Sequence, residues 1–179
     1  MAQSIRNIIS DINTTLADVF KGAKFYGAAV TVEREGVAKP VVNEESAAFD
    51  DSYAMQIYHK INGATITYKP GMGRGSNTIN MFTNSLYLFN NENKTSLKSD
   101  EIAMIIQSVI ANINIESVRI LPAQIILNTP VIYANEYRGS DYRLSEHHSL
   151  MQMNYSVEVT FKSGCFDLCP EDFSQCKIN

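Results

Sequence analysis

The amino-acid sequence predicts an α+β fold: an antiparallel or mixed β-sheet with two main helices packed on one face, plus an extended hairpin or arm and a C-terminal tail. Apolar residues recur at helical spacing in two segments and alternate with polar residues in several others. The order helix, strands, helix, strands is typical of a sheet with segregated helices. We expect residues 1–164 of the 179 to form one domain and residues 165–179 to form the tail.

Charge and hydropathy argue against a nucleic-acid-binding, a secreted or a membrane-spanning protein. The formal net charge is −4, which argues against a general nucleic-acid binder, because such proteins use a basic surface to displace counterions from phosphates. Asp11 and Asp18 interrupt the N-terminal apolar residues, so this segment is not a signal peptide. No stretch approaches the roughly 20 apolar residues that cross a bilayer. We therefore expect folding in a cytoplasm, with reduced cysteines.

The first helix is predicted near the N-terminus, where Ser4 is a suitable N-cap. Its apolar stripe consists of Ile5, Ile8, Ile9, Ile12, Leu16, Val19 and Phe20. A strand is predicted over "YGAAVTVER". The Gly, Pro and acidic residues of "GVAKPVVNEESAAFDDS" then indicate a long surface connection.

The clearest predicted hairpin is "YAMQIYHKINGATITYKP". Asn62-Gly63 is a favoured pair for a two-residue type I′ turn, and this register places the apolar residues of both strands on one face. His59 on that face is interpreted as a core histidine with satisfied hydrogen bonds. The following "PGMGRGSN" is interpreted as a loop and not a phosphate site, because it lacks a Lys-Ser/Thr pair and a following helix.

A further strand is predicted in "MFTNSLYLFNN", followed by the second helix. Ser99 is a candidate N-cap, and the acidic residues after it suit the positive end of a helix dipole. The helix is apolar almost all round, so we expect the sheet and another helix or subunit to cover it. "SVRILPAQIILNTPVIYANEY" is predicted as one or two strands broken by prolines, and the alternating "MQMNYSVEVTF" as the strongest strand.

All three cysteines lie in the tail, as Cys165, Cys169 and Cys176. A structural zinc ion takes four ligands, so His59, His147 or His148 would have to supply the fourth. An odd number of cysteines does not suit a disulfide framework. Unpaired thiols are therefore favoured over zinc, and Phe166 and Phe173 indicate a tail that docks on the body or on a neighbour.

The sequence contains neither an H-E-x-x-H nor a G-x-S-x-G signature. Adjacent His147 and His148 would point to opposite faces of a strand, which disfavours a shared metal ion. We expect no catalysis and no cofactor. The alternative is a small intracellular metal-binding module or enzyme that uses the three cysteines with His147 or His148.

The stretch "VIYANEYRGSDYRLSEHH" interleaves tyrosine and arginine, which are enriched at interface cores. We interpret it as an arm that contacts another chain, with an ordinary solvated hairpin as the alternative. Basic residues of the glycine-rich loop and aromatic residues of the tail are further candidates for partner contacts. The predicted interface residues are Tyr133, Tyr137, Arg138, Tyr142, Arg143, Lys69, Arg74, Phe166 and Phe173.

The order of "IRNIISDINTTLADVF", a central hairpin, "DEIAMIIQSVIANI" and "MQMNYSVEVTF" resembles the tail-terminator and neck-ring proteins of tailed bacteriophages. The Asn- and Ile-rich composition is also similar to ring proteins of crAss-like phages. This resemblance covers most of residues 4–162. It implies a non-catalytic virion subunit, made in the host cytoplasm, in a ring of six or twelve copies that contacts other neck, portal or tail proteins.

The resemblance further implies that DNA passes through the ring without sequence-specific binding and that no membrane is involved. An acidic subunit is compatible with a channel in which DNA slides, because a basic lumen would hold phosphates. Head-to-tail contacts between subunits close a cyclic ring. Residues 34–52 and 69–78 are candidates for contacts with the rings above and below.

Overall fold

The computed structural model describes residues 4–42, 45–46, 50, 52–69, 76–139 and 144–163. Within them the elements, in chain order, are α1 (Ile5–Val19), β1 (Lys24–Arg34), β2 (Val37–Val42), β3 (Glu45–Ser46), β4 (Met55–Lys69), β5 (Ser76–Asn91), α2 (Ser99–Ala111), β6 (Val118–Ile126), α3 (Thr129–Glu136) and β7 (His148–Ser163). None of the described helices has both the length and the apolar character needed to span a membrane.

The strands form one sheet with the order β3-β2-β1-β4-β5-β7-β6. β1 and β4 run parallel, and the other neighbouring strands run antiparallel. The α+β fold with a mixed sheet is therefore confirmed. The sheet is built around β4, β5 and β7, whose long ladders join the middle of the chain to its closing strand.

The core lies in two hydrophobic clusters. The first joins α1 and α2 to residues such as Ile57 and Leu88, which face each other across β4 and β5. The second joins α3 to the next pair along the same strands, Tyr58 and Tyr87. Because successive strand residues point to opposite faces, the two clusters lie on opposite sides of the sheet.

Both long helices begin near the predicted residues. The Ser4 side chain accepts a hydrogen bond from the Asn7 amide at 3.2 Å, as expected of an N-cap. α2 has its N-cap at Lys98, one residue before the predicted Ser99, and the Lys98 amide donates to the Glu101 carboxylate at 2.9 Å. That carboxylate satisfies one backbone donor that the helix leaves free.

The predicted hairpin at Asn62-Gly63 is wrong. β4 runs without reversal from Met55 to Lys69, and β5 pairs with it along its whole length. The ladder shifts register between Ile61 and Gly63, so Asn62 is the extra residue of a bulge. The Asn62 amide donates to the Ser85 hydroxyl at 2.7 Å. The long partner strand favours continuation over the local preference for a turn.

A tight hairpin turn occurs elsewhere, between β1 and β2. Glu35 and Gly36 have positive φ angles of 53° and 80°, as a type I′ turn requires at both central residues. β2 and β3 therefore occupy part of the segment predicted to be a long surface connection. Pro40 pairs with Thr31 within this ladder.

Of the one or two strands predicted for residues 117–137, the structure contains one, β6, and residues 129–136 form α3 instead of a second strand. Pro130 lies in the first turn of the helix, where the missing amide hydrogen costs nothing. The Asn128 side chain accepts a hydrogen bond from the Val131 amide at 3.2 Å and caps the helix. Proline and the asparagine cap together indicate a helix start.

Candidate functional site

The outer side of β4 contains a long strand edge that the other described strands leave unpaired. β1 pairs with β4 only as far as the Ala29–Lys60 pair, and then leaves to pair with β2. From Ile61 to Lys69, the described strands pair with β4 on the β5 side alone. We call residues 61–69 the β4 edge. It is about 30 Å long at the usual rise of a strand.

The sequence of this edge, "INGATITYK", explains why it forms a strand and why it separates from β1. Its threonine, isoleucine and tyrosine residues favour extended structure. The bulge at Asn62 increases the local twist and bends the strand at the point where β1 pairing ends. No acidic or basic residue precedes Lys69 at its end.

One face of the β4 edge is apolar and exposed. Ile66 is 73% exposed and Ile61 is 38% exposed. They pair with Asn80 and Asn84 of β5, which share the sheet face of α1 and α2. Exposed isoleucines on an uncharged strand with a free edge are a template for pairing with another chain.

The opposite outer strand, β6, has the features of a protected edge. Pro122 lies within it, and the ladder with β7 is irregular between Pro122 and Ile125. Arg119 adds an exposed positive charge. Proline, bulges and charge all oppose edge-to-edge pairing. The β4 edge has a bulge at its beginning and a lysine at its end, and residues 63–68 between them include neither proline nor charge.

A buried polar network supports the base of the β4 edge on the side of α1. His59 is fully buried, and its Nε2 lies 2.8 Å from Asn13 Oδ1 while its Nδ1 lies 2.9 Å from the Tyr155 hydroxyl. Because the amide oxygen only accepts, Nε2 carries the hydrogen and Nδ1 accepts from Tyr155. The interpretation of His59 as a satisfied core histidine is confirmed.

Burial lowers the pKa of His59 from 6.5 to about 3. The folded protein thus keeps the ring neutral in a range where the unfolded chain binds a proton, so stability falls as the pH drops below about 6.5. We expect the free energy of unfolding to fall by roughly 2 kcal/mol between pH 7 and pH 5 from this residue. Urea unfolding at both pH values measures the change.

His59→Gln should abolish most of that pH-dependent difference, whatever it does to the absolute stability. His147→Gln is the matched control, since His147 is exposed, and it should leave the difference as in the unchanged protein. Equal pH dependence in the His59→Gln variant would show that His59 does not cause it.

A second buried network lies on the α3 side of the same strand. Lys60 Nζ donates to both carboxylate oxygens of Glu136, at 3.0 and 2.8 Å. The Tyr87 hydroxyl donates to Glu136 Oε1 at 3.0 Å, and its ring stacks on Tyr58 with centroids 4.9 Å apart. Burial is the main reason that the pKa of Tyr87 is raised, and the nearby Glu136 carboxylate raises it further. The network fixes α3 to β4 one residue before the β4 edge.

The described part of the predicted Tyr/Arg arm is not an extended hairpin, and the interface prediction for Tyr137 is wrong. The interface roles of Tyr133 and Arg138 stay predictions. Tyr133 lies in α3, and Tyr137 is 1% exposed within the second cluster. The amide of Ala38 donates to the Arg138 carbonyl at 2.8 Å. Gly139 has φ of 69°, and a Cβ there would lie 2.8 Å from the Gly36 carbonyl oxygen. This segment is thus packed against the β1–β2 turn, and the Tyr137 ring is not available to a partner.

Arg138 is the exposed member of this group and forms an ion pair with Glu33 at 2.5 Å. Lys69 ends β4, where its backbone pairs with Asn77. The other predicted interface residues lie outside the described residues, so their roles stay predictions. They are Tyr142, Arg143, Arg74, Phe166 and Phe173.

The histidines of the alternative metal site are both described. His148 begins β7, accepts a hydrogen bond from the Ser145 amide at 3.2 Å, and packs on the Phe89 ring. His147 lies 3.5 Å from the Glu146 carboxylate. The described residues contain no cluster of three or more potential metal ligands. Cys165, Cys169 and Cys176 lie outside them, and the metal site stays a prediction.

Comparison with known proteins found no protein-family model and no curated protein that matches this sequence. The β4 edge is the feature that sequence reasoning missed. The signal for it was a run of fifteen strand residues, 55–69, whose second half contains no charge before Lys69.

Proposed function

We propose that this protein is a virion structural protein, a subunit of a head-to-tail connector or tail-terminator ring that surrounds the DNA channel and joins the portal side to the tail. The observation that carries the proposal is the β4 edge. An open strand edge with exposed isoleucines promotes aggregation of a monomeric protein, but in a protein that assembles it provides a surface for contact between subunits.

Two further features support this function. The order of elements resembles that of phage neck and tail-terminator proteins. The net charge of −4 suits a subunit that surrounds DNA without holding its phosphates. In a ring, head-to-tail contacts between neighbours close the circle, and neck, portal or tail proteins contact its two ends.

The direct test is to purify the full chain and determine its assembly state by native mass spectrometry and electron microscopy. We expect rings of six or twelve copies, and the same protein in purified virions. A chain that stays monomeric at high concentration and is absent from virions would contradict the proposal.

Ile66→Lys should weaken self-association. A lysine at the centre of an open edge places a positive charge beside the facing side chain of a paired strand, in place of an apolar contact. We expect the dissociation constant of the assembly to rise roughly tenfold or more, equivalent to about 1.4 kcal/mol. Analytical ultracentrifugation across a concentration series measures this constant.

The matched control is Met104→Lys, because Met104 on α2 is 71% exposed, close to the 73% of Ile66. Both variants should retain the free energy of unfolding within about 0.5 kcal/mol, as surface substitutions usually do. Equal weakening by both variants would show that general charge, and not the β4 edge, controls assembly.

A further inference from the structure

The open part of the β4 edge is complementary to itself. The segment 63–69 reads "GATITYK". If two copies pair antiparallel about a two-fold axis through Ile66, each Ile66 faces its counterpart. Ala64 then faces Tyr68 and Thr65 faces Thr67. The charged residue of the segment, Lys69, faces Gly63.

We infer that the β4 edge binds the β4 edge of a second copy of this chain in this register. The contact continues the β4-β5-β7-β6 ladder of each copy into an eight-stranded sheet across the two-fold axis. It gives hydrogen-bond partners to the outer backbone groups of residues 63–69.

Side-chain chemistry favours a second copy over an unrelated strand. Ile66 and Ala64 share one face of β4, because their partners on β5, Asn80 and Phe82, are alternate residues. The two-fold register therefore brings apolar residues of both copies side by side, and Thr65 and Thr67 together on the other face. Threonine pairs stabilise antiparallel strands, and the two isoleucines remove apolar surface from water when they lie side by side.

Charge also favours this partner. In the proposed register no like charges lie opposite each other, since the two lysines are at the two ends of the paired segment. A strand with an acidic residue at its centre would bury that charge against Ile66. The β6 edge, with Pro122 and its irregular ladder, is a poorer partner for the β4 edge.

This inference goes beyond the proposed ring. A two-fold contact joins subunits in pairs, whereas head-to-tail contacts close a ring. A ring that joins the portal side to the tail has two different ends and no two-fold axis across it. The β4 pair is therefore a contact between subunits outside the closed ring, and the crosslinking test below does not depend on the ring.

Site-specific crosslinking tests the register. In the full chain with Cys165, Cys169 and Cys176 changed to serine, Ile66→Cys places two thiols face to face, because opposite Cβ atoms in an antiparallel pair are about 5 Å apart. A short bis-maleimide reagent should give covalent dimers at least about tenfold faster than in the Met104→Cys control of the same background.

A second pair of variants checks the register independently. A mixture of Thr65→Cys and Thr67→Cys proteins should crosslink between the two variants in preference to within either one. Unequal electrophoretic tags on the two proteins distinguish these products. Random pairing among the three possible dimers would overturn the two-fold register.

The outcomes separate this inference from the proposed function. If electron microscopy shows rings but the Ile66→Cys protein crosslinks no faster than the Met104→Cys protein, the two-fold contact is overturned and the proposed ring is retained. Rapid Ile66→Cys dimers in a protein that forms no rings would support the contact and contradict the ring. Failure of both experiments would overturn both proposals.

Discussion

Tyr137→Ala is expected to lower the free energy of unfolding by about 3–5 kcal/mol, the usual cost of removing a large buried aromatic side chain. Tyr137 is 1% exposed, and its ring stacks on Tyr133 with centroids 5.9 Å apart. Alanine would leave a cavity between α3 and the sheet and remove this contact. Urea unfolding followed by circular dichroism measures the loss.

Two controls define the cause. Arg138→Ala removes an exposed ion pair with Glu33, whose two side chains are 62% and 54% exposed, so it should cost less than about 1 kcal/mol. Tyr137→Phe keeps the ring volume and should retain most of the stability. If Tyr137→Ala unfolds like the unchanged protein and loses assembly alone, Tyr137 is an interface residue, as the sequence pattern predicted.

Tyr137 illustrates where sequence reasoning fails. Between a polar Glu136 and a charged Arg138, a tyrosine is indistinguishable from a surface aromatic. Its burial depends on Gly139 and on the β1–β2 turn, which is about a hundred residues away in the chain. Packing between segments so far apart in the chain cannot be read from local composition. The Tyr/Arg pattern was therefore interpreted as an interface, although Tyr137 belongs to the core.

The Asn62-Gly63 pair shows the same limit for turns. Local preference predicted a reversal, yet Ile61 pairs with Asn84 and Gly63 with Thr83 on a separate strand. The choice between a two-stranded hairpin and one long strand depends on β5, which offers a partner over all of residues 55–69. Pairing with β5 therefore outweighs the local turn preference, and Asn62 lies in a bulge instead of a turn.

Features encoded in a single segment were predictable. The Ser4 cap, the stripe of α1 and the alternation in β7 follow from nearest neighbours along one element. Each is present, except that Val19 of the predicted stripe is 48% exposed. His59 was also interpreted correctly, because a histidine on an apolar strand face must find partners within the core. The β4 edge was not predicted, since an edge is a property of the sheet order.

The Lys60–Glu136 pair joins the last β1-paired residue of β4 to the last residue of α3. The Lys60 and Glu136 side chains are 21% and 7% exposed, so removing one partner leaves the other with little water. Breaking a buried pair costs more than replacing both charges, because the remaining charge keeps its desolvation penalty. Removing Lys60 or Glu136 alone should therefore destabilise the protein more than replacing both.

Lys60→Met should lower the free energy of unfolding by about 3 kcal/mol, because the Glu136 carboxylate then lies buried with the Tyr87 hydroxyl as its donor. In the double variant Lys60→Met with Glu136→Gln, the amide oxygen still accepts from Tyr87 and no charge is buried. That variant should recover most of the loss, and a double-mutant cycle measured by urea unfolding gives the coupling energy.

Lys98→Met is the matched control for losing a lysine ion pair. Lys98 binds Glu92 at 2.7 Å, but its side chain is 65% exposed, so water solvates the remaining carboxylate and the loss of stability should be much smaller than for Lys60→Met. If Lys60→Met costs no more than Lys98→Met, water reaches Glu136 and the pair does not fix α3 to β4. If Lys60→Met costs about 3 kcal/mol and the double variant regains most of that stability, the Lys60–Glu136 pair fixes α3 to β4. Replacing both charges is then tolerated, whereas removing one of them is not.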